Sequence, residues 1–151
     1  MHIFIMRHGE ASFHAFTDKD RPLTARGEDQ ADEQGTWLKS QTTPDLILVS
    51  PYLRAQQTCQ LASQYFSKKI PTETWDNLTP YGNAEITVDY IDTLQQQGID
   101  NLLIVSHLPL VDDIVTALGV NDVIAFHPAT IAKIEYQNGK GELLEVHKSS
   151  C

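Results

Sequence analysis

His2-Ile3-Phe4-Ile5-Met6-Arg7-His8-Gly9 is the stretch from which the rest of the chain is read. Residues 2–6 form a nearly unbroken apolar run with no alternation, the pattern of a strand buried on both faces inside a parallel sheet. The run stops at Arg7-His8-Gly9, so a permanent cation and an imidazole fall at the strand end. In an open parallel sheet, ligands collect outside the carboxyl ends of the strands. An imidazole nitrogen can accept and release a phosphoryl group, and a guanidinium can hold two phosphate oxygens at once. The tripeptide therefore points to phosphoryl transfer, and the other strand ends must supply the remaining cations.

Two more apolar runs follow, Leu46-Ile47-Leu48-Val49 and Leu102-Leu103-Ile104-Val105. Both stop at residues with chemistry: Ser50 through Arg54 after the first, and Ser106-His107 after the second. Helical patterns separate the runs. Thr24 is placed as an N-cap, with Glu28 and Asp29 near the positive end of the dipole, and this helix should pass Ala31, Leu38 and Lys39 despite Gly27 and Gly35. Ser50-Pro51 reads as cap and first-turn proline of a second helix, with Arg54 in its first turn and Leu61, Ala62, Tyr65 and Phe66 on its apolar stripe. After a short segment from Ile70 to Trp75, Ile86, Tyr90, Ile91 and Leu94 recur at helical spacing up to Gly98. Leu110, Val111, Ile114, Val115 and Leu118 do the same. Ile131, Ile134 and Tyr136 should face Leu143, Leu144 and Val146 across Asn138 to Gly141, as a terminal hairpin or paired edge strands. Residues 10–23 lack periodicity and read as a long polar loop, of the kind that is often functional.

Composition sets the outer limits. A chain of 151 residues with 41% hydrophobic content can bury one core, so residues 1–151 are expected to form a single domain. The net charge of −9 argues against nucleic acid as a partner and requires a local basic pocket for any anionic substrate. Cys59 and Cys151 form neither a disulfide framework nor a metal-binding spacing. With no basic leader and no long apolar segment, the expectation is a cytoplasmic protein without membrane contact.

Arg7, His8, Arg54 and His107 can thus converge from three strand ends on one small anion without a metal. With Arg7-His8-Gly9, Ser50-Pro51-x-x-Arg54-Ala55-x-x-Thr58 and Ser106-His107, the chain resembles the histidine phosphatase superfamily. Arg21-Pro22-Leu23-Thr24, Leu78-Thr79-Pro80 and Ser106-His107-Leu108-Pro109-Leu110 make it most similar to the SixA-type phosphohistidine phosphatases. The resemblance spans almost the whole chain. It implies a doubly wound α/β domain with a mostly parallel sheet and helices on both faces. It further implies His8 as the phosphorylated nucleophile, with Arg7, Arg54 and His107 binding the phosphoryl group; in the mechanism expected from these residues His107 is protonated, and no cofactor is expected. Asp18 and Arg21 match SixA-type positions and are expected at the substrate, Asp18 as a contact or proton donor.

One departure bears on the substrate. Ester-cleaving members of the superfamily carry an acid after the third strand, where this chain has Asn77-Leu78-Thr79-Pro80. An alkoxide leaves poorly without a proton, whereas phosphohistidine can leave as neutral imidazole once its distal nitrogen is protonated. The expected substrate is therefore a phosphorylated protein, by resemblance a histidine phosphotransfer domain of a phosphorelay. A phosphomonoesterase or phosphoglycerate-mutase-like enzyme taking its acid from Asp18 or Glu85 is the alternative, and a phosphohistidine-binding regulatory module is a third reading. Glu10 reads as a structural acceptor, and His14 as loop surface.

Overall fold

In the computed structural model, which describes residues 1–151, the first apolar run becomes β1 (His2–Arg7), an interior strand of a six-stranded sheet. β1 pairs in parallel with β4 (Asn101–Ser106), and Ile3 lies opposite Leu102. β4 pairs in parallel with β2 (Leu46–Val49), and β2 with the short β3 (Thr72–Thr74). On the other side of β1 runs antiparallel β5 (Ile131–Gln137), followed by the edge strand β6 (Lys140–His147). The order is β3-β2-β4-β1-β5-β6.

Helices cover both faces, which is why the central strands read as unbroken apolar runs. Phe4 and Met6 join a core with Leu38 of α1 (Ala25–Gln41) and Ala55 and Ala62 of α2 (Leu53–Ser63). Ile3 and Ile5 point the other way, into a core with Ile91 and Leu94 of α3 (Ala84–Gln96) and Val111, Ile114 and Val115 of α4 (Leu110–Ala117). This is the doubly wound α/β architecture.

The local expectations fare unevenly. Thr24 does cap α1, its hydroxyl accepting from the Gly27 amide at 3.0 Å. Gly35 does not interrupt the helix. It is buried where α1 meets α2, and a Cβ there would lie 2.6 Å from the Ala62 carbonyl oxygen, so its missing side chain lets the helices touch. Ser50 is not the cap of α2: Tyr52 holds that position and Leu53 is the first helical residue, while the Ser50 hydroxyl oxygen accepts from the Tyr52 amide one step before the helix. Arg54 remains in the first turn. α2 stops at Ser63, so Tyr65 and Phe66 lie beyond it, although Phe66 is still buried in the core. In the terminal hairpin a register shift between Lys133 and Ile134 pairs Ile134 with Leu143 and Ala132 with Val146, and leaves Leu144 exposed. The loop of residues 10–23 contains a 3-10 turn at Asp18–Asp20 and one antiparallel bridge, Ala11 to Leu23.

Candidate active site

Because β2, β4 and β1 are neighbours in the sheet, the three chemistry-bearing strand ends open side by side. His8, Arg54 and His107 all become buried there, and they meet. The His8 Nδ1 atom lies 2.7 Å from the carbonyl oxygen of Gly9. A carbonyl only accepts, so Nδ1 carries the proton and Nε2 keeps its lone pair. The Arg54 Nε–H donates to that lone pair at 3.3 Å. Burial pushes the His8 pKa down to about 3, against an upward pull from the Gly9 carbonyl, and the charges of Arg54, Arg7 and Arg21 add smaller downward contributions. The ring is thus neutral at physiological pH, as a nitrogen nucleophile must be.

His107 packs edge-on against His8 with ring centroids 4.9 Å apart, and edge-on against Tyr52 at 5.1 Å. Its Nε2 lies 2.7 Å from Ser50 Oγ, while its buried Nδ1 has no hydrogen-bond partner in the protein. Burial, then His8 and Arg54, lowers its pKa to about 2. The expectation of a protonated His107 is not met among the protein's own charges, since burial, the neighbouring His8 and the two guanidinium groups of Arg54 and Arg7 outweigh the opposing pull of Asp18.

Arg54 Nη1 donates to the Asp18 carbonyl at 2.7 Å and Nη2 to its carboxylate at 3.2 Å. The same carboxylate accepts from Arg21 Nη1 at 3.0 Å. Arg21 also donates through Nε to the Ser12 carbonyl at 2.8 Å and stacks over Phe13, so it reaches the site only through Asp18. Partial burial raises the Asp18 carboxyl, but the hydrogen bonds and charges of Arg21 and Arg54 outweigh it and hold the group below the usual carboxylate range. Asp18 is therefore ionised and has no proton to give. Glu85, the other acid considered, is exposed in the first turn of α3 with no contact to these residues.

Arg7 is anchored by its Nη1, which donates to the Phe126 carbonyl at 2.8 Å, and its buried Nε has no partner. Burial and the nearby Arg54 guanidinium lower its pKa, a repulsion that a bound anion would relieve. Of the five partnerless buried side-chain atoms in the chain, two belong to Arg7 and His107. Buried polar atoms are normally satisfied, so donors left over at one spot mark where a ligand's oxygens belong.

Several further residues support the site, in roles that the sequence did not specify for Thr58, Gly9 and Gly27. The Thr58 hydroxyl accepts from the Gly9 amide at 3.1 Å and donates to the Arg54 carbonyl at 2.7 Å. Glu10 is a structural acceptor as expected, taking the Thr24 hydroxyl at 2.9 Å. Gly9 and Gly27 meet where the loop after β1 crosses the start of α1: a Cβ on Gly9 would lie 2.7 Å from the Gly27 carbonyl oxygen, and one on Gly27 would overlap that of Glu10. Asn77 accepts from the Asn83 amide at 3.0 Å and so serves the turn before α3. No group of three or more His, Cys, Asp or Glu side chains is placed to hold a metal ion.

A model of the histidine phosphatase superfamily (branch 1) matches residues 3–96, which include Arg7, His8, Asp18, Arg21 and Arg54. The chain belongs to this superfamily. His107 lies outside that match but within the reach of full-length relatives. The phosphohistidine phosphatase SixA homolog of Haemophilus influenzae is 46% identical, covering 99% of this chain and 96% of that one. The phosphohistidine phosphatase SixA of Escherichia coli is 39% identical over 78% of this chain and 74% of that one. Among solved structures, the protein histidine phosphatase SixA complexed with tungstate superposes with a TM-score of 0.92 at 34% identity, covering 98% and 97% of the two chains. Within the histidine phosphatase superfamily, this chain is SixA-like.

Proposed function

We propose that the chain is a metal-independent phosphohistidine phosphatase that acts on a phosphorylated protein, a histidine phosphotransfer domain, in the cytoplasm. The observation that carries this reading is the neutral His8 ring, with its Nδ1 proton held by Gly9 and its Nε2 lone pair beside Arg54. Two relatives bear the name phosphohistidine phosphatase, and a solved one holds tungstate, a tetrahedral oxyanion like phosphate. No helix of the chain is long and apolar enough to cross a membrane.

In the first step His8 Nε2 attacks phosphorus, a new P–N bond forms, and the substrate's P–N bond breaks with its electron pair leaving on the substrate imidazole. That imidazole departs neutral because its distal nitrogen already carries a proton, just as His8 carries one on Nδ1. No acid is required, which fits an ionised Asp18. Arg7, Arg54 and the His107 Nδ1 hold the equatorial oxygens, where the transition state keeps most of its charge. Water then attacks the phosphorus of phospho-His8 and the P–N bond breaks with its electron pair returning to Nε2; the water's oxygen and both of its protons leave with the phosphate, and His8, still carrying its Nδ1 proton, returns to the neutral form. Asp18 and Arg21 line the approach.

The test is dephosphorylation of a panel of phosphotransfer domains in the presence of a chelator, by wild type and His8→Ala. Turnover by wild type alone, blocked by vanadate, is the expected result. An active His8→Ala protein would overturn the assignment of the nucleophile. Preference for sugar or glycerate phosphates would favour the ester reading, and tight binding without turnover the binding module.

A further inference from the structure

Ser50 is fully buried and held on every side. Its amide donates to the Val105 carbonyl at 3.1 Å, its own carbonyl accepts from Gln56 Nε2 at 2.8 Å, and its hydroxyl oxygen accepts from the Tyr52 amide at 3.2 Å. That leaves the hydroxyl proton. The remaining partner of the hydroxyl is His107 Nε2, at 2.7 Å. Two arrangements of this contact are possible. If Nε2–H donated to Ser50, the buried hydroxyl proton would have no acceptor, and the buried Nδ1 would present a bare lone pair. If Ser50 O–H donates to Nε2, every group of the pair is satisfied except one, the Nδ1–H. Buried donors and acceptors left unpaired are costly, so the second arrangement prevails.

We infer that Ser50 is a positioning residue that fixes the tautomer of His107, so that its ring presents Nδ1–H, and not a lone pair, to a phosphoryl oxygen. This role rests on the phosphoryl-transfer reading of the site. A lone pair at Nδ1 would repel the equatorial oxygens that the arginines gather, whereas an N–H adds one more preorganised donor. The ring is almost wholly buried and packs against His8 and Tyr52, which hinders the imidazole from turning over to exchange its nitrogens.

Nitrogen-15 NMR of histidine-labelled protein tests this directly, with His107→Asn used only to assign the resonance. The expected wild-type spectrum shows a neutral His107 with the proton on Nδ1, and Ser50→Ala shifts it toward Nε2–H. With a phosphotransfer domain as substrate, Ser50→Ala should lower kcat by about 10- to 100-fold with little change in KM. Ser50→Thr, which keeps the hydroxyl, should restore both the tautomer and most of kcat. A wild-type His107 protonated on Nε2, or a Ser50→Ala enzyme with wild-type kcat, would overturn the inference. The wild-type spectrum needs neither a variant nor turnover, so failure of the phosphatase reading and failure of the Ser50 assignment can be told apart.

Discussion

Lowering the pH from 7.5 to 5.5 should cost the fold about 3 kcal/mol through His8 and His107 alone. Both rings are buried and neutral, with pKa values pushed down to about 3 and about 2. In the unfolded chain each ring takes up a proton near its ordinary value of about 6.5. In the folded chain neither does so until the solution is far more acidic. Between those limits the unfolded state binds more protons, so stability is fully present above pH 6.5 and is lost as the pH falls below it. One pH unit below 6.5, each unfolded histidine gains about 1.4 kcal/mol that the native state forgoes. Two such groups remove a large share of a typical stability of about 5–15 kcal/mol. Urea denaturation at pH 7.5, 6.5 and 5.5, at constant ionic strength, measures the loss, and His107→Asn should roughly halve it. Asp18 and Glu33, held below the usual carboxylate range, titrate under this window and do not contribute. Equal unfolding free energies for wild type at pH 7.5 and 5.5, or an undiminished loss in His107→Asn, would refute the picture of two neutral buried rings.

Arg54→Lys should reduce kcat on a phosphotransfer domain by about 10²- to 10³-fold, since a single ammonium cannot span His8, Asp18 and a phosphoryl oxygen as the guanidinium fork does; a loss under tenfold would contradict that geometry. Asp18→Asn should leave phosphohistidine turnover within about tenfold of wild type, because general acids contribute about 10²–10⁴ and this carboxylate has no proton to donate. A larger drop in steady-state turnover would make Asp18 an acid after all. Gly27→Ala should destabilise the fold by about 1–3 kcal/mol, the cost of forcing a methyl group against the Glu10 carbonyl, and an unchanged denaturation midpoint would show that the loop after β1 yields freely.

What the sequence discloses depends on whether the cause is local. Buried strands announce themselves as apolar runs, and the residues after them are the site because the architecture puts them there, so Arg7, His8, Arg54 and His107 are legible without coordinates. Thr24 is legible as a cap for the same reason. The Gly35 position is misread by propensity alone, since the reason for the glycine is α2, nearly thirty residues away. Ser50 looks like a cap by rule, and only the proximity of β4 to β2 reveals its contact with His107. The Phe126 carbonyl that anchors Arg7 belongs to the backbone and leaves no mark in side-chain identity. The protonation state of His107 depends on summed burial and charge from several elements, which no motif encodes.

Thr58 sits between the two halves of the pocket, its one oxygen bonded both to the amide after His8 and to the carbonyl of Arg54. The backbone beside His8 and the backbone of Arg54 are therefore referenced to a single atom, and the error in their spacing is not the sum of two independent loop fluctuations. Because a β-branched side chain has few accessible χ1 states, that reference point is itself stiff. The tolerance of the pocket is set by one rotamer. A polymorphism at this position would broaden the distribution of His8-to-Arg54 distances without removing either side chain.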